Sequence, residues 1–235
     1  MLQGYIKYIL LCGILAVILP CSALGVDSNA MFVEGKDYIK LPDTIRDKPE
    51  AEQLLMADPH KVQVLFFFSY ACHGCHLLDA PFQKWSAQQL KKSKAKVAIY
   101  VYPVSFNIPW AMLAKMYYVN QTLDANNKLN EVIFNAVQKQ GLKLWEPAVM
   151  KRFFVQHGYN INVVDIASNS FTVNRLVKRA DDISKAYNII ATPDVVINGP
   201  VHSYKLDLSK AGNDIDRVFK VLDYLVAREL KLLAN

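Results

Sequence analysis

The 235-residue sequence predicts an α/β fold interrupted by an all-helical insertion. Three observations carry that expectation. A strongly apolar strand pattern, KVQVLFFFSYA at 61–71, leads into an amphipathic helical pattern and then a second strand pattern, KVAIYVYPV at 96–104. Strand, helix and strand in that order form a βαβ unit with a right-handed crossover. Residues 108–188 then carry helical periodicity and little strand signal, and strand pattern returns only at Pro193-Asp194-Val195-Val196-Ile197.

The chain opens MLQGYIKYILLCGILAVILPCSALG, in which Lys7 is the single charge. A charged start, an apolar run and a small-residue end are the layout of a secretory signal peptide. The apolar run, residues 8–19, is shorter than the roughly 20 residues of a membrane span. Ala23-Leu24-Gly25 fits the cleavage pattern, so residues 1–25 are expected to be removed and the mature chain to begin near Val26. An uncleaved anchor and lipid attachment at Cys21 are the alternatives. Pro20 argues against the second, since a small residue belongs there.

Export has a consequence for the cysteines. The sequence has four, and the leader takes Cys12 and Cys21 with it. Cys72 and Cys75 remain, three apart. Exported proteins use disulfides as staples, but so small a loop stabilises little through chain entropy. Local chemistry is the better reading of this pair. The net charge of +6 is modest. The lysine run at 91–96 reads as a solvated helix end, and without an Arg-aromatic pattern no nucleic-acid partner is expected.

The remaining elements follow in order. Residues 26–48 read as an extended lead-in with an edge strand at 36–41, interrupted by Pro42 and Pro49. Residues 50–57 form a brief helix closed by Asp58-Pro59. Residues 64–68 are unbroken apolar, the mark of a strand buried on both faces. Leu78, Phe82 and Trp85 share one face of the next helix, and Pro81 is expected to kink it. Within the insertion, Pro109 suits a first helical turn. Leu129, Val132, Ile133, Ala136 and Val137 mark a second helix, and Glu146-Pro147 opens a third. Residues 160–167 and 170–187 supply two more. Asn198-Gly199 signals a hairpin turn, with the return strand at 201–206. Ile215, Val218, Phe219, Leu222, Leu225 and Val226 give the last helix its apolar side. The expected division is 26–107, the insertion 108–188, and 189–235.

The chemistry concentrates in ACHGCH, residues 71–76. Cys72 and Cys75 form a CxxC pair, and with His76 they also spell CxxCH, the attachment signal for a c-type haem. Haem would need a sixth ligand, for which Met112, Met116 and Met150 are candidates, though all three fall on apolar helical faces. Zinc would need two further ligands, and His60, His157 and His202 show no supporting spacing. An inert disulfide is a further reading. The redox reading has its own physical basis. A CxxC opening a helix sets its first sulfur beside unpaired N–H groups and the positive dipole end. The thiolate is stabilised there and becomes a good leaving group.

FFFSYACHGC at 66–75, the helical insertion, and Thr192-Pro193 before DVVING together resemble the DsbA family of periplasmic thiol:disulfide oxidoreductases. The resemblance implies a thioredoxin-like fold carrying the inserted helical domain. It implies Cys72 and Cys75 as the catalytic pair, the first attacked and the second resolving. It implies a cis Pro193 facing the dithiol, with Thr192 binding an extended substrate chain. No cofactor or metal follows from it. The implied partners are reduced or unfolded exported proteins and a DsbB-like membrane oxidase, in the periplasm. Two departures matter. The spacer is His73-Gly74 rather than Pro-His, which puts an imidazole beside the first cysteine, where it can tune the Cys72 thiolate. The buried acid usual in the preceding strand is replaced by Phe66. A reductase or isomerase, or a peptide-binding module with an incidental disulfide, is therefore an open alternative.

Overall fold

The computed structural model describes residues 32–124, 128–206, 208 and 214–234. The expected signal peptide, 1–25, lies outside them. The described residues form a five-stranded mixed sheet with eight α-helices around it. The strands are β1 (Tyr38–Lys40), β2 (Val62–Phe68), β3 (Val97–Pro103), β4 (Asp194–Asn198) and β5 (Ser203–Leu206), in the order β1-β5-β4-β2-β3. β2 and β3 are parallel, while β4 runs antiparallel to both β2 and β5.

All seven residues of β2 are buried, which explains the unbroken apolar run. Phe66 stacks on Phe82, with ring centroids 4.4 Å apart, and Phe68 meets Tyr117 and Phe134. Phe67, of opposite parity, meets Tyr102 and Tyr187 instead. A strand covered on both faces cannot alternate polar and apolar residues.

Helix α1 (Pro49–Ala57) begins at a proline. Helix α2 (His73–Lys92) joins β2 to β3 and runs through Pro81 unbroken, so the expected kink does not interrupt the element. Its lysine-rich end turns through left-handed Lys94 and Ala95 into β3. Five helices follow before β4: α3 (Ile108–Leu123), α4 (Asn130–Gln138), α5 (Pro147–Gln156), α6 (Ile161–Asn169) and α7 (Phe171–Ala186). Their starts are written in the sequence. The Asn107, Asn160 and Ser170 side chains accept from backbone N–H groups of the first turn, and Pro109 and Pro147 sit where a missing N–H costs nothing. Met116, Phe134, Met150 and Phe153 are packed in the core. Helix α8 (Ile215–Leu232) lies against β2, β4 and β5.

Two sequence expectations need correction. The lead-in is not wholly extended, because Asp43–Ile45 forms a short 3-10 helix. The hairpin turn is also longer than Asn198-Gly199 alone. Asn198 pairs with Ser203, so residues 199–202 make a four-residue loop, closed by Gly199 N–H donating to His202 O at 2.8 Å. Nor is Gly199 needed there for a left-handed backbone. A Cβ at that position would overlap the carboxyl group of Glu229, which is fully buried. The glycine permits close packing of α8 on the hairpin.

Candidate active site

β2 ends at Phe68, and Ser69 begins the turn that delivers the dithiol to α2. Cys72 N–H donates to Ser69 O at 3.0 Å, and Ala71 N–H to the Ser69 hydroxyl at 3.3 Å. Cys72 is the N-cap of α2, and Cys72 and Cys75 are joined as a disulfide with Cα atoms 5.2 Å apart. The Cys75 N–H points at Cys72 Sγ at 3.1 Å. The sulfur thus occupies the place of a capping oxygen, where helix N–H groups stabilise negative charge. Cys72 is 8% exposed and Cys75 0%, so only the first sulfur can be approached.

The other sequence-chosen residues converge on the same place. The Thr192–Pro193 peptide bond is cis. Pro193 faces the spacer closely: a Cβ on Gly74 would stand 3.1 Å from Pro193 Cδ. A larger residue at Gly74 would press on the proline. His73, Gly74, Leu77, Thr192, Pro193 and Ile215 line a groove of about 490 Å³ beside the dithiol. Leu77 is half exposed along it, and His73 is exposed at its rim.

His76, the axial-ligand candidate of the haem reading, is otherwise engaged. Its Nε2 lies 3.0 Å from Glu131 Oε1 and its ring stacks on Phe134 at 4.9 Å. The hydrogen bond from His76 holds Glu131 below the usual carboxylate range. His60, His157 and His202 do not join the dithiol in any described cluster of metal-ligating residues.

These contacts lead to a buried polar network that the sequence reading missed. Asp79 lies one helical turn beyond Cys75 and is 8% exposed. Its Oδ2 accepts from Gln83 Nε2 at 2.7 Å and Asn130 Nδ2 at 2.8 Å, and Asn130 Oδ1 accepts from Tyr70 OH at 2.7 Å. Burial is the main reason the Asp79 carboxyl is pushed up to about 6, with Glu131 adding to it. Burial also carries the Tyr70 phenol far above its ordinary value. The signal for Asp79 was present in the sequence, as an acid on the Leu78–Phe82 face. Gln138, which donates to the Tyr70 and Cys72 carbonyls, had no such signal.

The profile of the DSBA-like thioredoxin domain matches residues 110–226. The thiol:disulfide interchange protein DsbA of Azotobacter vinelandii is 27% identical over 195 residues, covering 83% of each chain. That of Pseudomonas aeruginosa is 24% identical over 215 residues, 91% of this chain and 94% of the relative. This chain belongs to the DsbA-like thioredoxin family. Among solved structures, Pseudomonas aeruginosa DsbA superposes with a TM-score of 0.71 at 22% identity, over 87% of this chain and 97% of that one. Xylella fastidiosa DsbA gives 0.66 at 24% identity, over 84% and 97%. The fold is thus thioredoxin-like, and the protein is a thiol:disulfide oxidoreductase of the DsbA type.

Proposed function

We propose that this protein oxidises reduced exported proteins in the periplasm, transferring its Cys72–Cys75 disulfide to them. One observation carries the reading: an approachable Cys72 caps α2 at the rim of an apolar groove, above a sealed Cys75. A substrate thiolate attacks Cys72 Sγ. The Cys72–Cys75 bond breaks, and Cys75 leaves as a thiolate and takes a proton. A second substrate thiolate then attacks the substrate sulfur of the mixed disulfide and expels the Cys72 thiolate. Two electrons have passed to the protein, and the substrate holds the disulfide.

The helix N-terminus stabilises the departing Cys72 thiolate, which favours the dithiol form and makes the disulfide a stronger oxidant. His73 tunes that thiolate from the adjacent position. Thr192 and Pro193, on the groove wall, bind the substrate chain. A DsbB-like membrane oxidase restores the disulfide. Residues 1–25 direct export, and 108–188 act as a helical domain set into the thioredoxin-like part, 26–107 and 189–235.

Cys75→Ser, first charged at Cys72 as its mixed disulfide with glutathione, should pass to mixed disulfides with reduced exported proteins through Cys72 as glutathione leaves. It should accumulate them because no Cys75 is present to resolve them. Capture through Cys75 in the Cys72→Ser variant would reverse the assignment. Direction is read by titration against glutathione. A potential near about −120 mV, the value typical of DsbA, supports oxidation, whereas one near about −270 mV, as in thioredoxin, sinks it.

A further inference from the structure

Helix α4 lies along α2 and is tied to it by one face. Asn130 meets Asp79, Glu131 meets His76, and Phe134 stacks on the His76 ring. Residues 130, 131, 134 and 138 share that face at helical spacing. Its last residue, Gln138, therefore arrives over the dithiol turn from an element already fixed in place. Gln138 Nε2 donates to Tyr70 O at 2.9 Å and to Cys72 O at 3.0 Å. These two acceptors set the orientation of the amide, because the reverse would turn Oε1 against two other oxygens. Oε1 then faces His73, 3.4 Å from its Nδ1. An amide oxygen only accepts, so this contact requires the proton of a neutral His73 to sit on Nδ1.

We propose that Gln138 is a positioning residue for disulfide exchange. It clamps the carbonyls of Tyr70 and Cys72 and selects the Nδ1–H form of His73, so that a side chain of α4 orients the imidazole beside the reacting sulfur. The inference rests on the role given to His73 above. A residue held by two hydrogen bonds to backbone, on a helix docked through three further contacts, has the rigidity such a role needs.

The test uses the full mature chain, with Gln138→Met, which removes both amide groups at similar volume, alone and combined with His73→Ala. Long-range proton–nitrogen NMR reads the tautomer. The parent should show Nδ1–H for neutral His73, and Gln138→Met should shift it to Nε2–H. The thiolate absorbance of reduced Cys72 reads the consequence. Below the titration midpoint the thiolate population should fall roughly two- to ten-fold in Gln138→Met, the range that one hydrogen bond spans. It should show no further fall when His73 is already alanine. Gln138→Asn, which keeps the amide but withdraws it, should move the tautomer in the same direction if methionine disturbs the docking of α4. An Nε2–H parent, or a variant that changes only Tm, overturns the proposal. If His73→Ala moves the thiolate titration and Gln138→Met does not, this inference alone fails. If His73→Ala leaves it unmoved, the role of His73 fails and the inference with it.

Discussion

Asp79 shows how one residue can oppose the stability of the fold that holds it. Burial raises its carboxyl from 3.8 to about 6, so the folded state binds that proton more tightly than the unfolded chain does. The resulting stability is complete below about pH 4 and is lost as pH rises through about 6. Above that window the ionised group costs about 3 kcal/mol, the two-unit rise expressed as free energy. Asp79→Asn keeps an oxygen for Asn130 and Gln83 and removes the charge. The variant should exceed the parent in stability by up to about 3 kcal/mol at neutral pH, with the difference growing between about pH 4 and 6. Denaturant unfolding across that range checks it, and a flat difference would refute the account. Gly199 makes a second case. Its alanine variant must displace the buried Glu229 carboxyl, whose Oε1 accepts from Tyr204 OH at 3.0 Å. A loss of about 1–3 kcal/mol is expected, as for other overpacked cores. Glu229→Ala should relieve part of it in a double-mutant cycle.

At the scale of elements, β2 is the strand on which the others depend. It pairs on both edges and is covered on both faces, and Phe66 at its centre is 1% exposed. Its ring is stacked between Phe68 and Phe82. Phe66→Ala should cost about 3–5 kcal/mol in unfolding free energy, the range for a large aromatic removed from a packed core. A loss below about 1 kcal/mol would mean that the neighbours collapse into the space. Helix α3 depends on a smaller device. Asn107 Oδ1 accepts from Trp110 N–H at 3.0 Å, and Asn107→Ala should cost about 1 kcal/mol by the same measurement.

Across the whole molecule, ties between distant segments set the response to acid. Asp37 pairs with Arg217 of α8, Asp58 with Lys61 and Tyr100, and Glu131 with His76. Burial works to raise Asp37, but the Val33 N–H and the Arg217 guanidinium outweigh it and hold the carboxyl below its ordinary 3.8. Hydrogen bonds from Lys61 and then Tyr100 lower Asp58, and His76 lowers Glu131. A depressed folded value contributes stability that is present above the unfolded value and lost as pH falls through the folded one. Stability should therefore decline below about pH 4, and Asp37→Asn should shallow that decline. Unfolding measured on acidification tests this, and an unchanged slope in the variant would contradict it. Arg46 adds a further long-range tie, donating to Gly199 O at 3.0 Å and Pro200 O at 2.9 Å.

The sequence by itself determined the elements and the chemistry at the head of α2. Residues 64–68, the helix faces, the Asn and Ser caps and the CxxC spacing are local patterns, set by side-chain period and by backbone groups a few residues apart. The dithiol, Thr192 and Pro193 were legible for that reason, with the family resemblance joining the two stretches. Only the tertiary structure decided the strand order β1-β5-β4-β2-β3, the true reason for Gly199, and the polar groups around the dithiol. Gln138 stands 66 residues from Cys72 in the chain, and Gly199 meets a helix that begins sixteen residues later. No local period relates such residues. Their meeting follows from burial of all the apolar faces at once, which is a property of the packed chain and not of any segment within it.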